Sequence, residues 1–280
     1  MKMLNITKES IEKYMGRLRS MERSEQTIQK YKKQLCELME FMEGKELTKE
    51  NLILWKHLIE EKYCPSGVNG RLTAVNGFFS FLGRYDLRMK LLKIQKEIFI
   101  KEEKELTKDE YRRLVSTAEK RGSKRLSLII QTICATGIRV SELQYITVEA
   151  AYKGRTEVNC KGKRRIIFLP SGLQKKIKKY ARELGIKEGV VFVTRTGKPI
   201  NRSNIWADMK KLCHDADVSP KKVFPHNLRH LFARTFYSIE KDIAKLADLL
   251  GHSSIETTRI YIMESGKEHQ RKLEKMGLIV

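Results

Sequence analysis

Several features that would fix the class of a protein at once are missing from this 280-residue chain. Its five cysteines, at positions 36, 64, 134, 160 and 213, are odd in number and lack close paired spacing. That excludes a disulfide scaffold or a zinc ribbon and fits a reduced, cytoplasmic setting. Cys213-His214 has no further partner at ligand spacing, so neither a metal nor a cofactor is expected. No apolar run approaches the roughly 20 residues of a membrane span, and no apolar leader segment opens the chain. A long basic amphipathic helix with an aromatic face is also absent, as are internal repeats and low-complexity tracts. The expectation is a soluble protein without membrane attachment.

Acidic residues are scarce beside basic ones, at 34 Asp and Glu against 57 Lys and Arg, which gives a formal charge of +23. Lys and Arg outnumber Asp and Glu by 19 to 13 over residues 1–100 and by 38 to 21 over 101–280. Such an excess attracts polyanions, DNA or RNA above all, through counterion release, and does so without reading sequence. The length allows one large core or two small ones.

Residues 1–94 read as a helical bundle. Thr7, Ser24 and Thr48 are placed to cap three amphipathic helices, and a fourth starts after Pro65, carries Val68, Leu72, Val75, Phe78 and Phe79, and ends at Gly83. Asn69, Arg71, Thr73 and Asn76 on that helix read as solvated surface, with a groove-facing role as the alternative. Residues 95–105 are charged and poor in core residues, so they are expected to be a linker. A second domain over 106–280 then opens with a capping box at Thr107 and Glu110. The run from Leu126 to Ala135 predicts a helix buried on all sides, ended by Gly137. From Tyr145 to Leu169 the pattern turns to short strands, with a hairpin whose turn includes Lys161, Gly162 and Lys163. Helices at 171–184 and 201–216 are expected, with a strand at 190–193 between them.

The most informative stretch is Pro225-His226-Asn227-Leu228-Arg229-His230. On a helix, His226, Arg229, His230 and Ala233 share one face, and Leu228, Leu231, Phe232 and Thr235 share the other. Ile243, Leu246, Ala247 and Leu250 continue the helical pattern up to Gly251, so His252 emerges at a turn. In a last short helix Tyr261 lies among Thr257, Thr258 and Ser265, a poor setting for a core residue.

Together with Thr136-Gly137-Ile138-Arg139-Val140-Ser141-Glu142-Leu143, these boxes resemble those of the tyrosine site-specific recombinases, the family of phage integrases and Xer proteins. The resemblance rests on Arg139, on His226 and Arg229 in His-x-x-Arg, on the Leu-Gly-His turn at His252, and on Tyr261 nine positions later. It implies a mainly α fold: a helical core-binding domain followed by a mixed α+β catalytic domain with a small antiparallel sheet. Ser24-x-x-Thr27-Ile28-x-x-Tyr31 looks like the core-binding domain, with no further arm-binding module expected before it. Arg139, Arg229 and His252 would then hold a scissile phosphate, Tyr261 would be the nucleophile and His226 its base. Lys161 would be the general acid, with Lys163 as the alternative because Cys160 stands where the family's Gly-Lys-Gly pattern has its first glycine. Glu142 and His230 are supporting residues.

The implied partner is double-stranded DNA with paired inverted core sites. The chain would be a monomer in solution and a homotetramer on DNA, with accessory proteins allowed. The implied reaction needs neither metal nor ATP and passes through a 3′-phosphotyrosyl link and a Holliday junction. Leu273, Met276, Leu278 and Ile279 in the segment 267–280 form an apolar group that either folds back on its own domain or docks in a neighbour; the resemblance favours the neighbour. A type IB topoisomerase and a non-enzymatic DNA-binding regulator are the competing readings.

Overall fold

The fold is taken from a computed structural model, which describes residues 6–95, 105–160, 163–194, 196–263 and 266–277. The chain divides into two compact units, Met1–Lys96 and Glu97–Val280.

In the first unit Thr7 accepts a hydrogen bond from the Ser10 amide and starts α1 (Lys8–Ser20), while Ser24 and Thr48 cap α2 (Glu25–Phe41) and α3 (Lys49–Lys62) in the same way. α4 (Pro65–Phe81) begins on a proline, whose missing N–H costs nothing in a first turn. It is the centre of the bundle: Val68, Leu72, Ala74, Val75, Phe78 and Phe79 are all fully buried.

Of the polar residues of α4, Thr73 is solvated surface as expected, whereas Asn69, Arg71 and Asn76 are half-buried and bonded within the unit. Asn76 donates to the Met89 carbonyl at 2.8 Å and accepts from its amide at 2.7 Å; Asn69 makes the same pair with Leu92 at 2.9 and 2.8 Å. Two carboxamides thus satisfy an extended segment that would otherwise lie against the helix with unpaired backbone groups. Arg71 pairs with Glu37 at 3.1 Å and stacks over Tyr63.

The linker expected over 95–105 lies almost wholly outside the described residues. In the second unit Thr107 and Glu110 form the reciprocal capping box that starts α5 (Lys108–Lys120). α6 (Lys124–Thr136) carries Leu126, Leu128, Ile129, Ile130 and Ile133 into the core. It is not buried on all sides, however: Ala135 is exposed and Gln131 half-buried, because a small residue and a hydrogen-bonded amide are cheap to leave at the surface.

Gly137 closes α6 at φ +64°, where a Cβ would come 2.5 Å from Cδ1 of Phe232, so both conformation and space demand glycine. Arg139 opens a 3-10 turn, Val140–Tyr145, rather than an α-helix. Strands do not follow at once. Thr147 caps α7 (Val148–Lys153), which Gly154 ends, and only then does the chain form β1 (Arg155–Cys160) and β2 (Lys163–Phe168). These two pair antiparallel, from Arg155 opposite Phe168 to Cys160 opposite Lys163.

α8 (Ser171–Glu183) and α9 (Arg202–Leu212) flank a segment expected to be a strand at 190–193. That segment makes only single bridges, Thr147 with Val190 and Val193 with Pro199, because no neighbouring strand continues the ladder. α9 also ends four residues before the expected 216, and turns replace its last part. α10 (Pro225–Glu240), α11 (Ile243–Leu250), α12 (Ile255–Arg259) and α13 (Gly266–Lys275) complete the unit. The main core joins α5 to α10 and the hairpin, while Ala233, Leu246, Leu250 and Tyr261 form a small separate cluster against Phe232 and Phe236. Ala233 thus shares its cluster with Tyr261, on the side of α10 that also carries His226, Arg229 and His230.

Candidate active site

Three backbone devices converge on one place. The left-handed end of α6 delivers Arg139, the first turns of α10 deliver His226, Arg229 and His230, and Gly251, at φ +62°, ends α11 and turns out His252. The chain beyond α12 brings Tyr261 back over them.

Arg229 is buried, with 1% of its surface exposed. It donates through Nη1 to the Gly137 carbonyl, and through Nη2 to the Leu250 carbonyl at 2.6 Å and to Nε2 of His252 at 3.0 Å. Burial, then the charge of Arg139, bring its pKa down to about 10, so it keeps its proton at neutral pH. Arg139 differs. It gives Nη1 to Glu142 at 3.0 Å and Nη2 to the Gly251 carbonyl at 3.2 Å, yet 35% of its side chain remains exposed. Of the two guanidiniums, Arg139 is the one open to an incoming anion.

Glu142, 1% exposed, is the shared counterion. Its carboxylate accepts from the Arg139 amide at 2.8 Å, from Arg139 Nη1, and from Arg165 Nη2 at 2.5 Å. One carboxylate thus serves two arginines, Arg229 has no carboxylate partner among its hydrogen bonds, and the surplus positive charge suits a phosphate.

The expectation that Tyr261 avoids burial fails. It is 6% exposed, although its neighbours in sequence are polar, because three imidazoles enclose it. His230 stacks on its ring at 4.2 Å between centroids, His226 meets it edge-on at 5.2 Å, and His252 lies at 5.0 Å. Its hydroxyl is 3.2 Å from Nε2 of His226.

All three histidines are held neutral. Burial, then the positive charge of Arg229, lower the pKa of His226 and bring that of His252 to about 4; burial, then His226, bring His230 to about 3. A neutral imidazole can present an unprotonated Nε2 to the tyrosine hydroxyl. Because Arg229 has only donors, Nε2 of His252 must accept from it, which leaves the proton on Nδ1, 2.9 Å from Oγ1 of the fully buried Thr258. His252 is therefore held here as an acceptor and not as a free donor.

Arg139, Glu142, His226, Arg229, His230, His252 and Tyr261 thus share one site. Lys161 lies outside the described residues, and of Lys163 only its backbone, at the start of β2, is described. Reasoning from sequence missed Arg165 and Thr258. The signal for Arg165 was present: Ile167 reads as an inward strand residue, and position 165 shares its face. Cys213 is buried and bonds the Met209 carbonyl, and His214 faces solvent beside Asp215. Among the described residues no group of His, Cys, Asp or Glu is arranged to hold a metal ion, and no helix is long and apolar enough to cross a membrane.

A tyrosine with an imidazole nitrogen at its hydroxyl and a surplus of arginine charge nearby has the groups that phosphoryl transfer needs. A family profile described as the Phage integrase family matches residues 104–268. A tyrosine recombinase XerD of Halalkalibacterium halodurans is 28% identical over 270 residues, which cover 85% of this chain and 87% of that protein. A tyrosine recombinase XerA of Pyrococcus furiosus is 28% identical over 281 residues, covering 97% and 95%. The crystal structure of a lambda integrase dimer bound to a COC′ core site superposes over 93% of this chain and 96% of its own at a TM-score of 0.75, with 16% identity, a likeness of fold. The chain belongs to the phage integrase family of tyrosine site-specific recombinases.

Proposed function

We propose that the chain is a DNA strand transferase that recombines two specific sites through a covalent tyrosyl intermediate. The observation that carries the reading is the Tyr261 hydroxyl, 3.2 Å from a His226 whose pKa is lowered by burial and then by the charge of Arg229, with Arg229 over the tyrosine ring. Tyr261 Oη attacks the scissile phosphorus and its proton passes to Nε2 of His226. Arg139 donates to the non-bridging oxygens as charge builds there, and Arg229 adds its buried positive charge.

The bond from phosphorus to the 5′-oxygen breaks, and that oxygen takes a proton from Lys161, with Lys163 as the alternative. The products are a 3′-phosphotyrosyl link and a 5′-hydroxyl. The link conserves the bond, so attack by a hydroxyl of another strand rejoins DNA without ATP. Guanidinium and ammonium donors take the part that a metal would otherwise play.

Lambda integrase has been solved as a dimer on a core site and as a tetramer on a Holliday junction, and XerH on palindromic difH DNA. By analogy the substrate is a duplex with paired inverted sites, and four protomers exchange strands two at a time in the cytoplasm. Leu273 and Met276 on and after α13 are 55% and 58% exposed, which supports docking of the segment 267–280 in a neighbouring protomer.

The test is a plasmid carrying two copies of the DNA that flanks the gene. Recombinant product from wild type and none from Tyr261→Phe is expected; relaxation of a plasmid lacking those copies points instead to a type IB topoisomerase.

A further inference from the structure

Thr258 belongs to none of the sequence boxes, yet it touches two residues of the site. On the short helix α12 the side chains of Glu256, Thr257 and Arg259 are exposed, while Thr258 is 0% exposed. Its Oγ1 lies 2.9 Å from Nδ1 of His252, and its carbonyl accepts from the Tyr261 amide at 2.9 Å. One buried residue thus holds the ring of His252 with its side chain and Tyr261 with its backbone. Thr132 and Thr136, also buried, give their hydroxyls to the carbonyl four residues earlier at 2.7 Å, the ordinary outlet within a helix. The Thr258 hydroxyl does not use that outlet: among the described residues His252 is its only partner.

A hydroxyl can accept or donate, whereas a carbonyl or carboxylate in its place could only accept. The difference matters because a neutral imidazole has one N–H and one bare nitrogen. With Nε2 receiving Arg229 at 3.0 Å, the proton is on Nδ1 and Oγ1 accepts it. For Nε2 to donate to a phosphate oxygen, the proton must sit on Nε2, and the bare Nδ1 then needs a donor. A rotated Thr258 O–H supplies one. The ring keeps the same number of protons, one leaving Nδ1 and one arriving at Nε2 by exchange with water at a half-buried side chain. Adding a second proton instead is unfavourable near neutral pH, because burial and then the charge of Arg229 bring the pKa of His252 to about 4.

We propose that Thr258 is a positioning residue that holds His252 in either tautomer, accepting from Nδ1 in the free protein and donating to Nδ1 when Nε2 donates to the scissile phosphate. The proposal rests on the recombinase reading above. It assigns to Thr258 a part in the cleavage step rather than in DNA affinity.

The first experiment measures adduct formation on nicked duplex carrying the recombination site. Thr258→Val keeps the shape and removes the hydroxyl, and should slow the adduct about 10–100-fold, somewhat less than outright loss of a transition-state donor. Thr258→Ser keeps the hydroxyl and should stay within about threefold of wild type, as should the DNA affinity of both variants. In a His252→Ala background, Thr258→Val should change the residual rate by less than about threefold, because the threonine acts through the ring.

The second experiment is heteronuclear NMR of isotope-labelled histidine in Tyr261→Phe protein, with His252→Ala identifying the signal. The His252 proton should be on Nδ1 in the free protein and on Nε2 with uncut site DNA bound; this measurement decides the matter if Thr258→Val does not fold. A wild-type rate in Thr258→Val, a Thr258→Ser as slow as Thr258→Val, or a loss confined to affinity overturns the proposal. So does an equal loss in the His252→Ala background, or a proton that stays on Nδ1 with DNA bound. Absence of adduct from wild type would sink the recombinase reading, and this proposal with it.

Discussion

Replacing Glu142 by Gln keeps the volume of the side chain and removes the one negative charge that two arginines share. One carboxylate oxygen accepts from the Arg139 amide and from Arg165, the other from Arg139 Nη1. A carboxamide turned either way sets its NH2 against at least one of those donors, so a hydrogen bond becomes a repulsion. The pair with Arg165 is almost fully buried, whereas Arg139 is about one-third exposed and its share is screened. Breaking a buried pair costs about 3–5 kcal/mol, and the screened partner puts this case near the lower end, about 3 kcal/mol. For a unit of this size each kcal/mol moves the midpoint by about 2–4 °C, so the second unit should melt roughly 6–12 °C lower. Differential scanning calorimetry at neutral pH reads this directly. A shift under about 2 °C would refute the idea that one carboxylate holds the cluster together.

Acid should weaken the second unit. His230 and His252 have folded pKa values of about 3 and about 4, below the ordinary 6.5 of the unfolded chain, so between those limits the unfolded state binds more protons. Stability is then full above pH 6.5 and falls as the pH drops below it, by on the order of 2–4 kcal/mol at pH 5 for the two together. Urea titrations at pH 7.5 and 5 measure the difference, and equal midpoints would contradict the assignment. In the first unit, Asn76→Ala leaves both Met89 backbone groups unpaired and should cost about 1–3 kcal/mol, read from Trp55 fluorescence with Trp206 replaced by Phe. Deleting 267–280 should leave half-site binding intact and abolish cooperative filling of a full site in gel-shift titrations. Cooperative filling by the truncated chain would mean that this segment folds on its own unit.

Helix starts were legible because single side chains decide them: Thr7, Ser24, Thr48, Thr107, Asn201 and Asp242 all cap where the sequence places a start. Helix ends at Gly137 and Gly251 were equally plain, since a left-handed residue there has one cheap solution. The positions of α10 that meet Tyr261 followed from periodicity, whereas the burial of Tyr261 did not. That burial comes from imidazoles 31 to 35 positions earlier and from His252, and no local pattern encodes it. Asn69 and Asn76 looked like surface because what they bond is the backbone of a later segment, which carries no side-chain signature. α7 was mistaken for strand because Val148, Ala150 and Ala151 are apolar in either reading, and the cap at Thr147 settles it. Arg165 was hidden among Lys163, Arg164 and Arg165, a run that composition alone reads as a basic turn.

The central claim is that Tyr261, with its proton taken by His226, becomes joined to the 3′ side of a broken DNA strand. Nicked, labelled duplex carrying the recombination site should trap wild-type protein as a slow-migrating adduct on a denaturing gel. After proteolysis, mass spectrometry should find the DNA on the peptide that contains Tyr261, through a 3′-phosphate. A DNA-bearing peptide from elsewhere in the chain, or a link to the 5′ side, would contradict the account.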